Sequence, residues 1–166
     1  MRVFYCLNVA YTKSRFINKA DDPIYRYRFT WLNLQTVVKE IVSTFFNEGF
    51  FMANTAHFKD AEFKCKHCGE VKLDQHLVAL LELVRLRFGK PVVVTSGYRC
   101  EEHNANVGGA KKSKHILGIA ADIKMKGVQP SAVFDFLDDT FPNCYGIGLY
   151  SGWVHIDARQ DKARWG

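Results

Sequence analysis

The stretch that decides the fold is "SKHILGIAADIK", which runs from Ser113 to Lys124. Its apolar second half continues into "GIAADIKM" and predicts a strand. His115 and Asp122 flank the start of this strand, and Gly118 between them leaves room for a close approach of the backbone. We therefore expect His115 and Asp122 to point into one cleft, since imidazole and carboxylate are both ligands that zinc accepts.

A third candidate ligand lies in "GWVHIDAR", where His155 stands among apolar and β-prone residues. A buried polar side chain needs a partner. His115, Asp122 and His155 on neighbouring strands would make a three-ligand zinc set with the fourth position open for water. The alternative is that hydrogen bonds in the core satisfy each histidine, and the spacing leaves both interpretations open. A His-Glu-x-x-His helix motif is absent, which excludes ordinary zincin chemistry.

The segments before this strand predict a helix, a strand and a loop. In "KLDQHLVALLELVRLRFGK", Asp74 is the expected N-cap and Gly89 the expected end of an amphipathic helix. The β-branched run "PVVVTS" (91–96) predicts a short strand that is central and buried. Residues 97–114 follow as a long polar loop, and a loop of this length is typical of either a functional or a disordered segment.

The segments after it predict a helix and a hairpin. Pro130 begins a helix at its first turn. "YGIGLY" and "WVHIDA" are two strands joined by a turn at Ser151 and Gly152. Together with the earlier segments they predict an α+β fold, a small antiparallel sheet with helices packed around a zinc cleft.

Composition limits the function classes. The chain has 166 residues, 48% hydrophobic, and a formal net charge of +6. This excess of basic residues is typical either of a protein with an anionic partner, such as nucleic acid, a membrane surface or a cell-wall polymer, or of a soluble protein that is merely basic. No nucleic-acid reading motif accompanies the basic residues, so we expect no nucleic-acid partner. No stretch approaches the roughly 20 apolar residues of a membrane span, and no clear signal peptide is present. We therefore expect no stable membrane insertion and a protein that is cytoplasmic at synthesis. We also expect a monomer.

The chain divides into two unlike parts near Met52. Residues 1–51 contain 12 of the 23 aromatic residues but only one of the 12 glycines, and within them 34–46 predicts an amphipathic helix. The string "NEGFFM" (47–52) resembles a translated ribosome-binding site before a start codon. One hypothesis is that residues 1–51 are an upstream translated extension and 52–166 the domain; the other is a genuine N-terminal helical segment.

Four motifs occur in a fixed order: Ser-Gly-Tyr-Arg, Asn-x-x-Val-Gly-Gly, Ser-x-His-x-x-Gly-x-Ala-x-Asp and Val-His-Ile-Asp. Together with the final "ARW", they resemble the zinc D-Ala-D-Ala carboxypeptidases and peptidoglycan endopeptidases, including the peptidase domains of phage endolysins. The resemblance covers roughly residues 58–165 and, as a combined pattern, is specific. It implies the fold shared by hedgehog domains and DD-peptidases.

The resemblance also implies roles for individual residues. His115, Asp122 and His155 would bind one Zn²⁺, and Arg99 would face the substrate, where its guanidinium can bind a carboxylate or an anionic intermediate. Many relatives carry an acidic residue three positions before the last zinc histidine, whereas this chain has Gly152 there. The general base therefore stays open.

Two residues are candidates for that base. Asp157 lies on the same strand face as His155, since side chains alternate along a strand. It is either the catalytic base or a partner that orients a zinc histidine. His103, from the long loop, is the second candidate.

The cysteines suggest a second metal site. Cys65-x-x-Cys68 and Cys100-x-x-His103 together have the spacing of a structural zinc site. A disulfide or free thiols remain the alternatives, while Cys6 and Cys144 carry no recognisable signal.

The expected function is a zinc peptidase that cuts peptidoglycan cross-links or stem peptides, acting on the wall after release through a separate membrane pore. The alternative is a non-catalytic, zinc-containing module of the same fold that binds the cell wall.

Overall fold

The computed structural model describes residues 55–166, and the expectations for residues 1–51 and for the boundary at Met52 lie outside this range. The described helices are the 3-10 helix Asp60–Phe63, α1 Gln75–Phe88, α2 Glu101–Asn106 and α3 Pro130–Thr140. The strands are β1 Val92–Ser96, β2 Ala120–Met125, β3 Gly146–Leu149, β4 Val154–Asp157 and β5 Ala163–Trp165.

The strands form one sheet in the order β1-β2-β4-β3-β5. The β1–β2, β2–β4 and β3–β4 pairs are antiparallel, and β5 alone lies parallel to its neighbour β3. The α+β class is confirmed, as is the β3–β4 hairpin, whose turn is closed by the Tyr150 N–H donating to the Trp153 carbonyl at 3.1 Å. The parallel β5 makes the sheet mixed.

Helix α1 begins and ends at the residues that the sequence indicated. The Asp74 carboxylate accepts hydrogen bonds from the backbone N–H groups of His76 and Leu77, which satisfies donors that lack a partner within the helix. Gly89 ends the helix in the left-handed conformation, with φ at 60°. Pro130 likewise occupies the first turn of α3.

Two local predictions were wrong. Strand β1 is an edge strand rather than a central one, and Val93 is 54% exposed. A β-branched run stabilises either kind of strand, so three valines do not distinguish them. The supposed loop 97–114 contains helix α2, because the Cys100 sulfur accepts the His103 N–H and caps a short helical turn.

The sheet has two chemically different faces because side chains alternate along each strand. One face supplies Ala121, Ile123, Ile147 and Ile156 to a core shared with α1 and α3. The opposite face carries the polar residues of β2 and β4. None of the helices in residues 55–166 has the length and apolar character needed to cross a bilayer.

Candidate metal centre

The register of β2 and β4 places Asp122 directly opposite His155. Both side chains project from the face of the sheet that points away from the core. Because the central strands hold this register through antiparallel pairing, the two side chains meet without any contribution from a flexible loop.

His115 reaches the same point from the turn that precedes β2. Gly118, with φ at 75°, lies so close to Lys72 that a Cβ there would come within 2.5 Å of the Lys72 carbonyl oxygen. Only glycine fits this approach, and the turn it allows buries His115 almost completely. The His115 Nδ1 lies 2.7 Å from the Gly97 carbonyl oxygen. A carbonyl can only accept, so Nδ1 donates and Nε2 is directed into the cleft.

The three ligand atoms converge at the separations of a tetrahedral metal site. The His155 Nδ1 lies 2.9 Å from the Asp122 Oδ1, and the His115 Nε2 lies 3.3 Å from the same oxygen. The two histidine nitrogens are 3.2 Å apart. Zinc bonds of about 2.0–2.1 Å in a tetrahedron place neighbouring ligand atoms roughly 3.3 Å apart. His115, Asp122 and His155 can therefore hold a metal ion together.

The same three atoms allow two proton arrangements without a metal. The Asp122 Oδ1 accepts from both histidine nitrogens when His115 is protonated at Nε2 as well as at Nδ1, and from His155 alone when His115 is neutral and donates only to Gly97. In the neutral form the His115 Nε2 lone pair faces the Asp122 carboxylate oxygen at 3.3 Å, and a metal ion at the shared point would satisfy both atoms.

Arg99 lies beside the candidate ligands. Its Nη2 donates to the Asp122 Oδ2 at 2.6 Å, and its Nε donates to the Ser96 hydroxyl at 2.8 Å. The guanidinium thus occupies one carboxylate oxygen of Asp122 and leaves Oδ1 facing the two histidines. The family resemblance implied that Arg99 faces the substrate, which stays a prediction, and the structure adds this contact with a candidate ligand.

Asp157 lies behind His155 rather than in front of it. Its Oδ2 is 3.2 Å from the His155 Nε2, the nitrogen on the far side of the ring from Asp122. Asp157 is fully buried and also accepts from the Arg159 Nε and Nη2 at 2.7 and 2.6 Å. This is the carboxylate–histidine arrangement that orients metal ligands. Of the two roles left open, the geometry favours the orienting one.

The charges of the cluster shift its proton affinities. Burial alone would favour the neutral carboxyl, but hydrogen bonds from His115 and His155 hold the pKa of Asp122 below its usual range. Burial likewise opposes the charged form of His155, but the carboxylates of Asp122 and Asp157 raise its pKa. In the metal-free site, the charged form of His155 is therefore favoured relative to that of a free histidine.

The residues that enclose His155 were not predicted from the sequence. Trp165 packs against the His155 ring with centroids 5.1 Å apart, and the Arg159 guanidinium stacks over Trp165. Gly148, opposite His155 on β3, makes room for the indole, and Gly146 makes room for Asp157 and Arg159. The alternation of glycines in "YGIGLY" is the signal that could have revealed this close packing.

Gly152, which stands where many relatives carry an acidic residue, has open space around it. A Cβ at Gly152 would meet nothing within 4 Å, and its φ lies outside the left-handed range. The other base candidate, His103, stacks on His67 with ring centroids 6.4 Å apart, beside the cysteines. The structure does not bring it into the group of His115, Asp122 and His155.

Comparison with known proteins identifies the family of this chain. No curated protein matches the chain. A family model described as Peptidase M15 matches residues 56–157, more than half of the chain and a range that contains Arg99 and all three candidate ligands. The chain belongs to the peptidase M15 family.

Proposed function

We propose that this chain is a zinc peptidase that hydrolyses peptidoglycan peptides, either as a D-Ala-type carboxypeptidase or as an endopeptidase cutting next to a D-amino acid. The observation that carries the proposal is the convergence of the His115, Asp122 and His155 ligand atoms at tetrahedral separations. Family membership supports peptidase chemistry, and the donor set of two imidazoles and one carboxylate fits zinc with one coordination position left open.

When bound, zinc supplies a water of lowered pKa and polarises the peptide carbonyl. The residues of the chain would orient the metal ligands and bind the substrate. Asp157 holds the His155 ring so that Nδ1 faces the cleft. Arg99 uses Nη2 and Nε for Asp122 and Ser96, which leaves Nη1 for a substrate carboxylate or the developing oxyanion.

The wall is the substrate class that the resemblance and the charge favour. A net charge of +6 would draw the protein towards an anionic wall polymer. We propose that the protein acts there after release through a separate membrane pore, as phage endolysins do. Its approach would then weaken at high ionic strength, because salt screens exposed charges.

The test is hydrolysis of purified bacterial cell walls, followed both as loss of turbidity and as release of free D-alanine, because a carboxypeptidase trims stem peptides without dissolving the wall. Wild type should give at least one of the two signals, a chelator should stop it, and added Zn²⁺ should restore it. His155→Ala should be inactive while keeping its circular dichroism spectrum. His76→Ala removes a histidine outside the ligand group and serves as the matched control. Full hydrolysis by His155→Ala, or hydrolysis that a chelator does not affect, would contradict the proposal.

Product analysis distinguishes the two bond specificities. Mass spectrometry of digested walls shows free D-alanine for a carboxypeptidase, and cross-linked dimers converted to monomers for an endopeptidase.

One observation favours a second function, a non-catalytic zinc-containing module that binds the wall. Gly152 stands where many relatives carry an acidic residue. The Asp157 carboxylate contacts the His155 Nε2, on the side of the ring away from the cleft, so it does not replace that acid. A wild-type protein that sediments with walls but releases no peptide at any zinc concentration would establish this alternative.

A further inference from the structure

Three cysteines converge at a second place in the fold, away from the group formed by His115, Asp122 and His155. Cys65 and Cys68 lie in a tight turn after the 3-10 helix, and Cys100 precedes α2. Their sulfurs lie within 4.8 Å of one another although Cys65 and Cys100 are 35 residues apart in sequence. The turn is closed by the Gly69 N–H donating to the Cys65 carbonyl at 3.0 Å, with Gly69 at φ 78°.

The sulfur separations fit a metal better than a disulfide. The Cys65 and Cys100 sulfurs are 3.8 Å apart. A disulfide needs about 2.05 Å, whereas zinc–sulfur bonds of about 2.3 Å in a tetrahedron place two sulfurs roughly 3.8 Å apart. The Cys100 N–H donates to the Cys65 sulfur and the His103 N–H donates to the Cys100 sulfur, each at 3.4 Å. Such N–H donors stabilise the thiolate form that binds metal.

A nearby histidine is the candidate for the fourth ligand. The His67 Nδ1 lies 3.6 Å from the Cys100 sulfur, about the separation of nitrogen and sulfur ligands on one tetrahedral zinc. His67 stands outside the group in which the three sulfurs lie within 4.8 Å of one another, and its Nε2 lies 3.4 Å from the Glu102 Oε1, so its exposed side chain would have to rotate to complete the site. The spacing in the sequence had suggested His103 for this position, but its ring stacks on His67 instead.

We propose that Cys65, Cys68 and Cys100, with His67 as the fourth ligand, bind a structural zinc ion that is separate from the peptidase site. Four protein ligands close the coordination sphere, which is typical of structural rather than catalytic zinc.

The position of the site explains what this ion would hold together. Cys100 directly follows Arg99, and the Tyr98 N–H donates to the Phe63 carbonyl at 2.9 Å. A Cβ at Gly97 would come within 2.6 Å of the Phe63 Cα, so the two segments are in close contact. The ion would fasten the turn at 65–69 to segment 97–100. That segment supplies Arg99 and the carbonyl that orients His115.

Cobalt substitution tests the proposal independently of activity. Thiolate-to-cobalt charge transfer absorbs in the near ultraviolet, and the His115, Asp122 and His155 group has no thiolate that could produce it. The Co²⁺-loaded full chain should show this band, Cys68→Ser should lose most of it, and His155→Ala should keep it. Zinc content should fall from two ions per chain to one in either variant.

Cys68 is the suitable position because its side chain is exposed, so that serine there disturbs little besides the ligand. His67→Ala should alter the cobalt spectrum while His103→Ala leaves it unchanged, and the reverse would overturn the assignment of the fourth ligand. A wild-type chain with one zinc and no charge-transfer band would overturn the site. So would a thiol titration of the denatured chain that finds two fewer than the five cysteines of the sequence, since that result indicates a disulfide.

Discussion

At the scale of single residues, Gly152 determines whether the site has a general base at the position where many relatives carry an acidic residue. Its position three residues before His155 is open to a side chain, and its backbone does not require glycine. The substitution Gly152→Glu should therefore be accommodated. General acid–base catalysis is typically worth about 10²–10⁴-fold in rate, so we expect Gly152→Glu to accelerate wall hydrolysis at least about tenfold.

Gly152→Gln is the matched control, because it has the same size but no basic carboxylate. The measurement is the initial rate of wall-peptide hydrolysis at saturating zinc, read as turbidity loss for an endopeptidase or as free D-alanine for a carboxypeptidase. Equal rates for the two variants would show that this position does not supply the missing base, and that another group performs proton transfer.

A substitution at Asp157 can distinguish its two candidate roles, the catalytic base and the partner that orients His155. If it orients His155, Asp157→Asn should weaken zinc binding by about 10–100-fold, as removal of such partners does. Activity should then return when zinc is raised. The readout is the zinc concentration that gives half-maximal activity, compared with the exposed control Asp161→Asn. Activity that stays low at every zinc concentration would instead assign Asp157 the role of base.

At the scale of elements, the site depends on glycines in β3 as much as on its ligands. A Cβ at Gly148 would collide with the Trp165 indole, which packs against His155. We expect Gly148→Ala to lower the free energy of unfolding by about 1–3 kcal/mol, the usual cost of overpacking. Gly152→Ala, with open space around its Cβ, should stay within about 0.5 kcal/mol of wild type. Urea denaturation of both variants makes the comparison, and equal stabilities would contradict the packing argument.

The elements that the sequence predicted well are those whose signals are local. The Asp74 cap, the Gly89 end and Pro130 act within one turn of their helices, so they are readable from a few residues. The position of β1 at the sheet edge depends on which strands pair across the whole domain, and no local pattern carries that information.

The same distinction applies to the candidate site. Spacing and resemblance together indicated His115, Asp122 and His155, and the structure brings them together. The roles of Arg159 and Trp165 depend on β5 returning beside β3, and the choice of His67 over His103 depends on a ring orientation. These are tertiary contacts that spacing along the chain does not encode.

At the scale of the whole molecule, the hypothesis that translation starts at Met52 remains a prediction. The family match begins at residue 56, and the buried core of the described residues begins at Phe58. We expect mass spectrometry of the natively produced protein to find an N-terminal peptide that begins at Met52. A peptide that begins before Met52 would contradict the hypothesis.

The pH dependence of stability should change sign when zinc is bound. In the metal-free protein the pKa of His155 is raised on folding, so its contribution is present below the unfolded pKa of about 6.5 and is lost as pH rises through the folded value. Zinc replaces the proton that His155 holds towards Asp122, so zinc affinity and the stabilisation it gives should grow as pH rises. The increase in melting temperature caused by zinc should therefore be larger at about pH 7.5 than at about pH 5.5.

His155→Ala provides the reference for that experiment, since it keeps the cysteine cluster and loses the histidine in question. Subtracting its zinc-induced shift at each pH isolates the contribution of the His115, Asp122 and His155 group. Each proton displaced per zinc bound should strengthen binding by up to about 1.4 kcal/mol per pH unit. A difference between wild type and His155→Ala that does not vary with pH would contradict the expected displacement of a proton by zinc. A difference of zero at every pH would mean that zinc does not bind at this group, and the hydrogen-bonded alternative for the two histidines would then be preferred.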